Sequence, residues 1–102
     1  MTTSIRYGDI GNIFLTTILD EDDAIVDLSS ASPMSITFLD SESGRFVRTV
    51  GLYTDGTDGK TTYTKTALDT FAVGSVEYQV NITTGSSVYW STINRFNVTR
   101  AI

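Results

Sequence analysis

Val76, Tyr78, Val80 and Ile82 alternate without a break with Glu77, Gln79, Asn81 and Thr83. A period of two puts every second side chain on one face of a strand, and a helix cannot segregate such a pattern. The same period returns in Met34, Ile36 and Phe38 against Ser35 and Thr37. It returns again in Val88 and Trp90 among Ser87, Tyr89 and Ser91, and in Phe96 and Val98 after Asn94. Threonine and serine supply 28 of the 102 residues, whereas alanine and lysine are sparse. That balance favours a pleated surface over a helix.

Turn-forming strings punctuate these runs. Asp20-Glu21-Asp22-Asp23 separates a strand over residues 11–19 from a short segment at 25–28. Ser41-Glu42-Ser43-Gly44 separates 34–39 from 46–50. Asp55-Gly56-Thr57-Asp58-Gly59 precedes 61–65, and Thr84-Gly85-Ser86 joins the last two hairpin strands. Only residues 67–72 suit a helical turn. Seven or eight short strands spaced by roughly 8–12 residues specify an all-β chain, an immunoglobulin-like antiparallel β-sandwich. The domain covers residues 8–102, with residues 1–7 as an N-terminal arm. Two side chains refine this expectation. Tyr78, reached through Asp69 and Gly74, is a candidate for the tyrosine that pins the crossing between sheets, the alternative being an ordinary inward tyrosine. Trp90, on the same face as Val88, is expected as the largest core residue.

The missing residue types exclude much chemistry. The chain has no histidine and no cysteine, so zinc lacks its usual ligands and no Ser-His or Cys-His nucleophile pair can be assembled. The net charge is −5 and the pI about 4.3, the wrong sign for nucleic acid or an anionic membrane. Eight of the twelve acids lie in residues 1–44 against Arg6 alone. That asymmetry could orient identical subunits, or it could be accidental. The longest apolar run is Ile13-Phe14-Leu15, far short of the about 20 residues of a spanning helix. The start has no signal-peptide pattern, and a soluble chain made in a reducing cytoplasm is expected.

Three strings resemble sites. Gly59-Lys60-Thr61 ends like a phosphate loop, but Thr54 stands where that motif needs glycine, and strand residues follow. Asp20, Asp22 and Asp23, with Asp55 and Asp58 from another loop, are weak calcium candidates whose spacing does not match an EF-hand. Paired carboxylates could form a glycosidase dyad, but no feature of the sequence sets their separation. Asn81-Ile82-Thr83 and Asn97-Val98-Thr99 match the glycosylation pattern and read better as outward strand positions. No positioned base or nucleophile emerges, so no enzyme and no cofactor are expected.

The irregular strand is the first. Ile13, Leu15 and Leu19 fall on one face, Phe14 and Ile18 on the other, with Thr16 between them. Two apolar faces call for cover on both sides. With Ile13, Leu15 and Leu19 inward, Phe14 and Ile18 become candidate interface residues, extended by Tyr53 and Tyr89. The bland alternative is that both are scattered surface apolars. The arm at residues 1–7 could add a strand to a neighbour's open edge.

A family resemblance runs over roughly residues 7–99. Its landmarks are Gly8-Asp9, Leu19-Asp20-Glu21-Asp22, Val26-Asp27-Leu28-Ser29 and Ser35-Ile36-Thr37-Phe38. They continue through Gly59 to Tyr63, Leu68-Asp69-Thr70, Gly74-Ser75-Val76-Glu77-Tyr78-Gln79-Val80 and Phe96-Asn97-Val98. In that order the chain resembles the N-terminal immunoglobulin-like domain of tailed-phage baseplate upper proteins and related small β-sandwich modules of phage virions. The family turn usually reads Asp-Gly where Asp22-Asp23-Ala24 stands here. The resemblance implies a non-enzymatic structural protein of the virion, an accessory or decoration of capsid, tail or baseplate. Its implied partners are other virion proteins or copies of itself. Baseplate members continue into further domains, whereas this sequence ends at Ile102, which turns the expectation toward decorating, plugging a gap or holding a separate fibre. The other reading is a module for carbohydrate or a host surface, with or without calcium.

Overall fold

The computed structural model describes residues 3–42, 44–66, 69 and 71–100. The uninterrupted alternation at the C-terminal end becomes its longest strand, β7 (Gly74–Thr84), around which the larger sheet is built. β3 (Met34–Leu39) pairs with β7 along one side, and β4 (Arg45–Thr49) pairs with β3. The other side of β7 is shared end to end by β8 (Ser87–Trp90) and β9 (Asn94–Thr99). β1 (Thr3–Arg6) closes that sheet by lying parallel to β9. The second sheet has three strands in the order β2 (Ile13–Thr17), β6 (Lys60–Thr64), β5 (Gly51–Leu52). Between β4 and β5 the chain crosses from one sheet to the other at buried Val50, whose N–H donates to the Met34 carbonyl at 3.2 Å. The architecture is an all-β sandwich with immunoglobulin-like character.

The alternation sets the core as expected on three strands. Ile36 and Phe38 of β3, Val76, Val80 and Ile82 of β7, and Phe96 and Val98 of β9 are all buried. Phe14, Phe38, Phe46, Phe71, Phe96, Tyr63 and Tyr78 form one aromatic cluster with neighbouring centroids 5.0–5.9 Å apart. Tilted and edge-to-face contacts dominate it, the arrangement that the ring quadrupole favours.

Several expectations need correction. Residues 3–6 are not an arm reaching for a neighbour. They form an edge strand of the chain's own sheet, with Ile5 buried, and Tyr7 N–H donates to the Thr99 carbonyl at 2.7 Å. This parallel pair is the exception in an otherwise antiparallel fold. Residues 25–28 make a single bridge, Leu19 to Ile25, rather than a strand. Val26 and Leu28 nevertheless plug the core. The Leu28 N–H donates to the Gly56 carbonyl at 2.8 Å. Gly56 takes φ +96°, and a Cβ there would lie 2.7 Å from the Ser29 nitrogen, so only glycine fits the crossing. Of the expected helical turn, residues 67, 68 and 70 lie outside the described residues, as do turn position 43, the first two residues of the arm and the last two of the domain. Asp69, Phe71 and Ala72 are not helical.

Trp90 is not in the core. It is 59% exposed, Val88 is exposed with it, and Tyr89 packs inward instead. The cause is a β-bulge. Asn81 pairs with Trp90 and Tyr78 with Asn94, so two residues of β7 face three on the opposite side, residues 91–93. One extra residue reverses the faces of everything beyond it. Ser91 holds the bulge in place. Its N–H donates to the Val80 carbonyl at 2.8 Å, its hydroxyl accepts from Val80 N–H at 2.9 Å, and its carbonyl accepts from Gln79 Nε2 at 2.7 Å.

Candidate functional site

The acidic turns are the first place to look for chemistry, and their carboxylates are engaged in shaping the chain. Asp20 Oδ1 accepts from the amides of Asp22 at 2.8 Å and Ala24 at 3.0 Å, which allows Asp23 its left-handed φ of 59°. Asp55 Oδ1 accepts from the Thr57 hydroxyl at 2.7 Å and the Thr57 amide at 3.0 Å. The hydroxyl and then the amide hold its carboxyl below the usual 3.8. Asp58 receives the Lys60 amide at 3.0 Å on one oxygen and the Thr54 hydroxyl at 2.9 Å on the other. These are Asx turns, the local bonding that short acidic side chains favour. Among the described residues no three acidic side chains gather as a metal site would require. The calcium candidates are therefore divided between separate turns.

A second group of ionisable residues was not singled out in the sequence. Asp69 is 0% exposed. It takes Arg48 Nε at 2.8 Å on one oxygen; the Thr66 amide at 2.9 Å and the Tyr63 hydroxyl reach the other. Burial alone would raise the Asp69 pKa, but Tyr63, the Thr66 amide and Arg48 outweigh it and hold the carboxyl below 3.8. Burial, then the hydrogen bond to Asp69, push the Tyr63 phenol up to about 12. Tyr63 thus makes the tyrosine-to-loop link that Tyr78 was a candidate for. The Tyr78 ring instead joins the core against Phe14, Phe38 and Phe96. Lys65 is buried nearby, its ammonium donating to the Asp9 carbonyl and standing 5.7 Å from the Phe71 ring centroid. These groups bond to one another and to loop backbone, and Arg48 Nη1 also donates to the Val47 carbonyl of its own strand at 3.1 Å, so the cluster is a clasp between loop and sheets.

The interface candidates divide. Phe14 is 8% exposed and Ile18 0%, so both belong to the core. The outward residues of the strand are Ile13, Leu15 and Leu19, the reverse of the expected arrangement. Pairing with β6 explains it. Phe14 stands opposite Tyr63 and Thr16 opposite the buried Thr61, so the inward row reads Phe14, Thr16, Ile18. Tyr53 is exposed beside β5, and Tyr89 is half-buried against the core edge on the other sheet. The structure does not join them into one patch with Phe14 and Ile18.

What the bulge creates instead is an apolar site on the outer face of the larger sheet. The register lines up Arg45, Leu39, Glu77 and Arg95 in one row and Thr49, Ser35, Asn81 and Trp90 in another. Between the rows lies a hollow of about 200 Å³ floored by Thr37 and Gln79 and walled by Trp90, Ile93 and Leu39. Arg45 and Glu77 mark its rim, Glu77 lying 3.5 Å from Arg95. Trp90 also borders a wider depression of about 450 Å³ that reaches Leu19 and the acidic turn at Asp20, Glu21 and Asp23. A large exposed aromatic with aliphatic neighbours and a charged rim is the composition of a contact surface. Leu39 stands on β3 and Trp90 ends β8, while Ile93 lies in the bulge between β8 and β9.

No family model matches the chain, and no curated protein matches it. Among solved structures, CopC from Methylosinus trichosporium OB3b superposes with a TM-score of 0.58 at 13% identity, covering 99% of this chain and 86% of that one. At that identity the likeness shows the β-sandwich fold alone.

Proposed function

We propose that this chain is a non-enzymatic structural component of a tailed-bacteriophage virion, an accessory or decoration of capsid or tail that works through protein contacts. The virion assignment rests on the ordered landmarks from Gly8-Asp9 to Phe96-Asn97-Val98. The observation that carries the contact role is the Trp90, Ile93 and Leu39 face, which exposes large apolar side chains together on the outer side of the larger sheet. Trp, with Tyr and Arg, is enriched at the energetic centre of protein interfaces.

A Trp90→Ser, Ile93→Ser double variant tests this. Both side chains are exposed, so its thermal stability should stay within about 1 kcal/mol of the wild type. Its incorporation into particles, measured by quantitative mass spectrometry of purified virions, should be lost. Normal incorporation of the folded variant contradicts the docking role.

A second reading is favoured by the make-up of the hollow. An indole wall beside Gln79, Glu77 and Arg45 offers an apolar face and polar groups together, which suits the ring and hydroxyls of a sugar. Titrating glycans while following Trp90 emission distinguishes the two, since docking to protein alone predicts no response.

A further inference from the structure

We infer that the partner seated across Trp90 is an extended, basic segment of another protein. Such a segment lays an aliphatic side chain in the hollow on one side of the indole and an arginine or lysine in the acidic depression on the other. This rests on the docking role proposed for the same face, and it names the chemistry of what docks there.

Trp90 lines both concavities, and their charges differ. The hollow of about 200 Å³ has aliphatic walls at Ile93 and Leu39, and its rim carries both signs, Arg45 and Glu77. Glu77 is already paired with Arg95. The depression of about 450 Å³ is lined by Leu19, Asp20, Glu21 and Asp23 and, among the described residues, by no basic side chain. The ion pairs among the described residues are Arg48 with Asp69 and Arg95 with Glu77. The turn from Asp20 to Asp23 therefore has no cation from its own chain. Asp20 spends one oxygen on the turn's amides. The exposed carboxylates of Glu21 and Asp23 make no such bond and face water.

Charge complementarity selects the occupant. A metal ion does not suit the depression, because no three acids among the described residues gather closely enough to hold one. A second copy meeting this face with its own would set acid against acid. A guanidinium or ammonium on a long stem suits it. The stem lies along Leu19 and the indole while the charge reaches the carboxylates, and a cation within about 6 Å of the indole face is attracted by the ring itself. The aliphatic side chain belongs on the other side, where the walls are apolar and Arg45 repels a base. An extended chain rises about 3.3 Å per residue, so a short polar spacer carries it across the indole.

The probes are three synthetic peptides without tryptophan, titrated into the purified chain while Trp90 emission is followed. The first is acetyl-Ile-Ser-Ser-Arg-Arg-amide, the second has glutamate for both arginines, and the third has serine for the isoleucine. The first should shift the emission and saturate, the second should have no effect, and the third should bind more weakly. In the chain, Glu21→Lys with Asp23→Asn should weaken binding of the first peptide by about tenfold or more. The fold should be kept, since neither side chain bonds to the turn and asparagine accepts the left-handed φ at position 23. Should that variant misfold, the wild type in rising salt replaces it, and the response should weaken likewise. No response to the arginine peptide, an equal response to the glutamate peptide, or a response indifferent to both charge reversal and salt overturns the inference. Emission that changes with protein concentration alone would place a second copy on this face and overturn it too. A failure here leaves Trp90-dependent incorporation into particles standing, whereas the docking reading falls only if the Trp90→Ser, Ile93→Ser variant is incorporated normally.

Discussion

A Phe14→Ser, Ile18→Ser double variant is expected to lose cooperative thermal unfolding, because both residues are in the core. Phe14 touches Phe38, Tyr78 and Phe96 at centroid distances of 5.2–5.3 Å, and Ile18 is fully enclosed. Truncating a buried Phe costs about 3–5 kcal/mol and a buried Ile about 2–5, and serine adds a hydroxyl to an apolar site. Together these losses rival the roughly 5–15 kcal/mol that holds a whole domain together. Substituting Ile13 and Leu15 by serine in the same strand should instead leave the chain folded with a cooperative transition, since those side chains face outward. Circular dichroism melts of the two pairs measure the contrast directly. Equal behaviour of the two pairs would contradict this assignment of faces, and the opposite contrast would mean that the faces of β2 are reversed.

The second large effect is expected at Asp69, together with a pH dependence. Asp69→Asn keeps the shape but removes the charge that Arg48, Tyr63 and Thr66 all address. Hydrogen bonds to a charged group contribute about 1.5–3 kcal/mol each, and Arg48 is itself about a third exposed. A net loss of about 3 kcal/mol is expected, read from denaturant midpoints. The pH sign follows from linkage. The folded carboxyl titrates below its ordinary 3.8, so its contribution is complete above that value. It is lost as the pH falls through the lower, folded value. Wild-type stability should fall below about pH 4, and Asp69→Asn should flatten that fall. Tyr63 gives the opposite edge: with its phenol raised to about 12, its contribution is present below pH 10 and lost as the pH rises through the folded value.

Most strands were legible because one residue in two was apolar and the intervening ones were polar. Met34, Ile36 and Phe38 illustrate this, as do Val76, Val80 and Ile82, and their faces follow from the sequence. β2 was misread because its outward row is the more aliphatic, while its inward row hides Thr16 between Phe14 and Ile18. Counting apolar residues picks the wrong face there, and only pairing with Tyr63 and Thr61 corrects it. β8 was misread for another reason. Extending the phase of Phe96 and Val98 backwards makes Trp90 inward, and the extra residue between Ser91 and Ile93 reverses it. A bulge of this kind has no signature in alternation alone. The outer site therefore depends on an irregularity that the sequence does not announce. The Asp69 clasp was missed too, because its partners lie 3, 6 and 21 residues away in the chain and meet only when the loop folds back on the sheets.

Docking through the bulged face is most directly tested at Trp90, the one tryptophan in the chain. Replaced by 5-hydroxytryptophan, which can be excited apart from ordinary tryptophan, this side chain reports this surface and no other even on a particle. In the free protein iodide should quench the emission readily. On particles that carry the chain, quenching should fall sharply and the emission should shift to the blue as the indole leaves water. Unchanged quenching on the particle, or an indole already shielded in the free chain, would contradict the role assigned to this face.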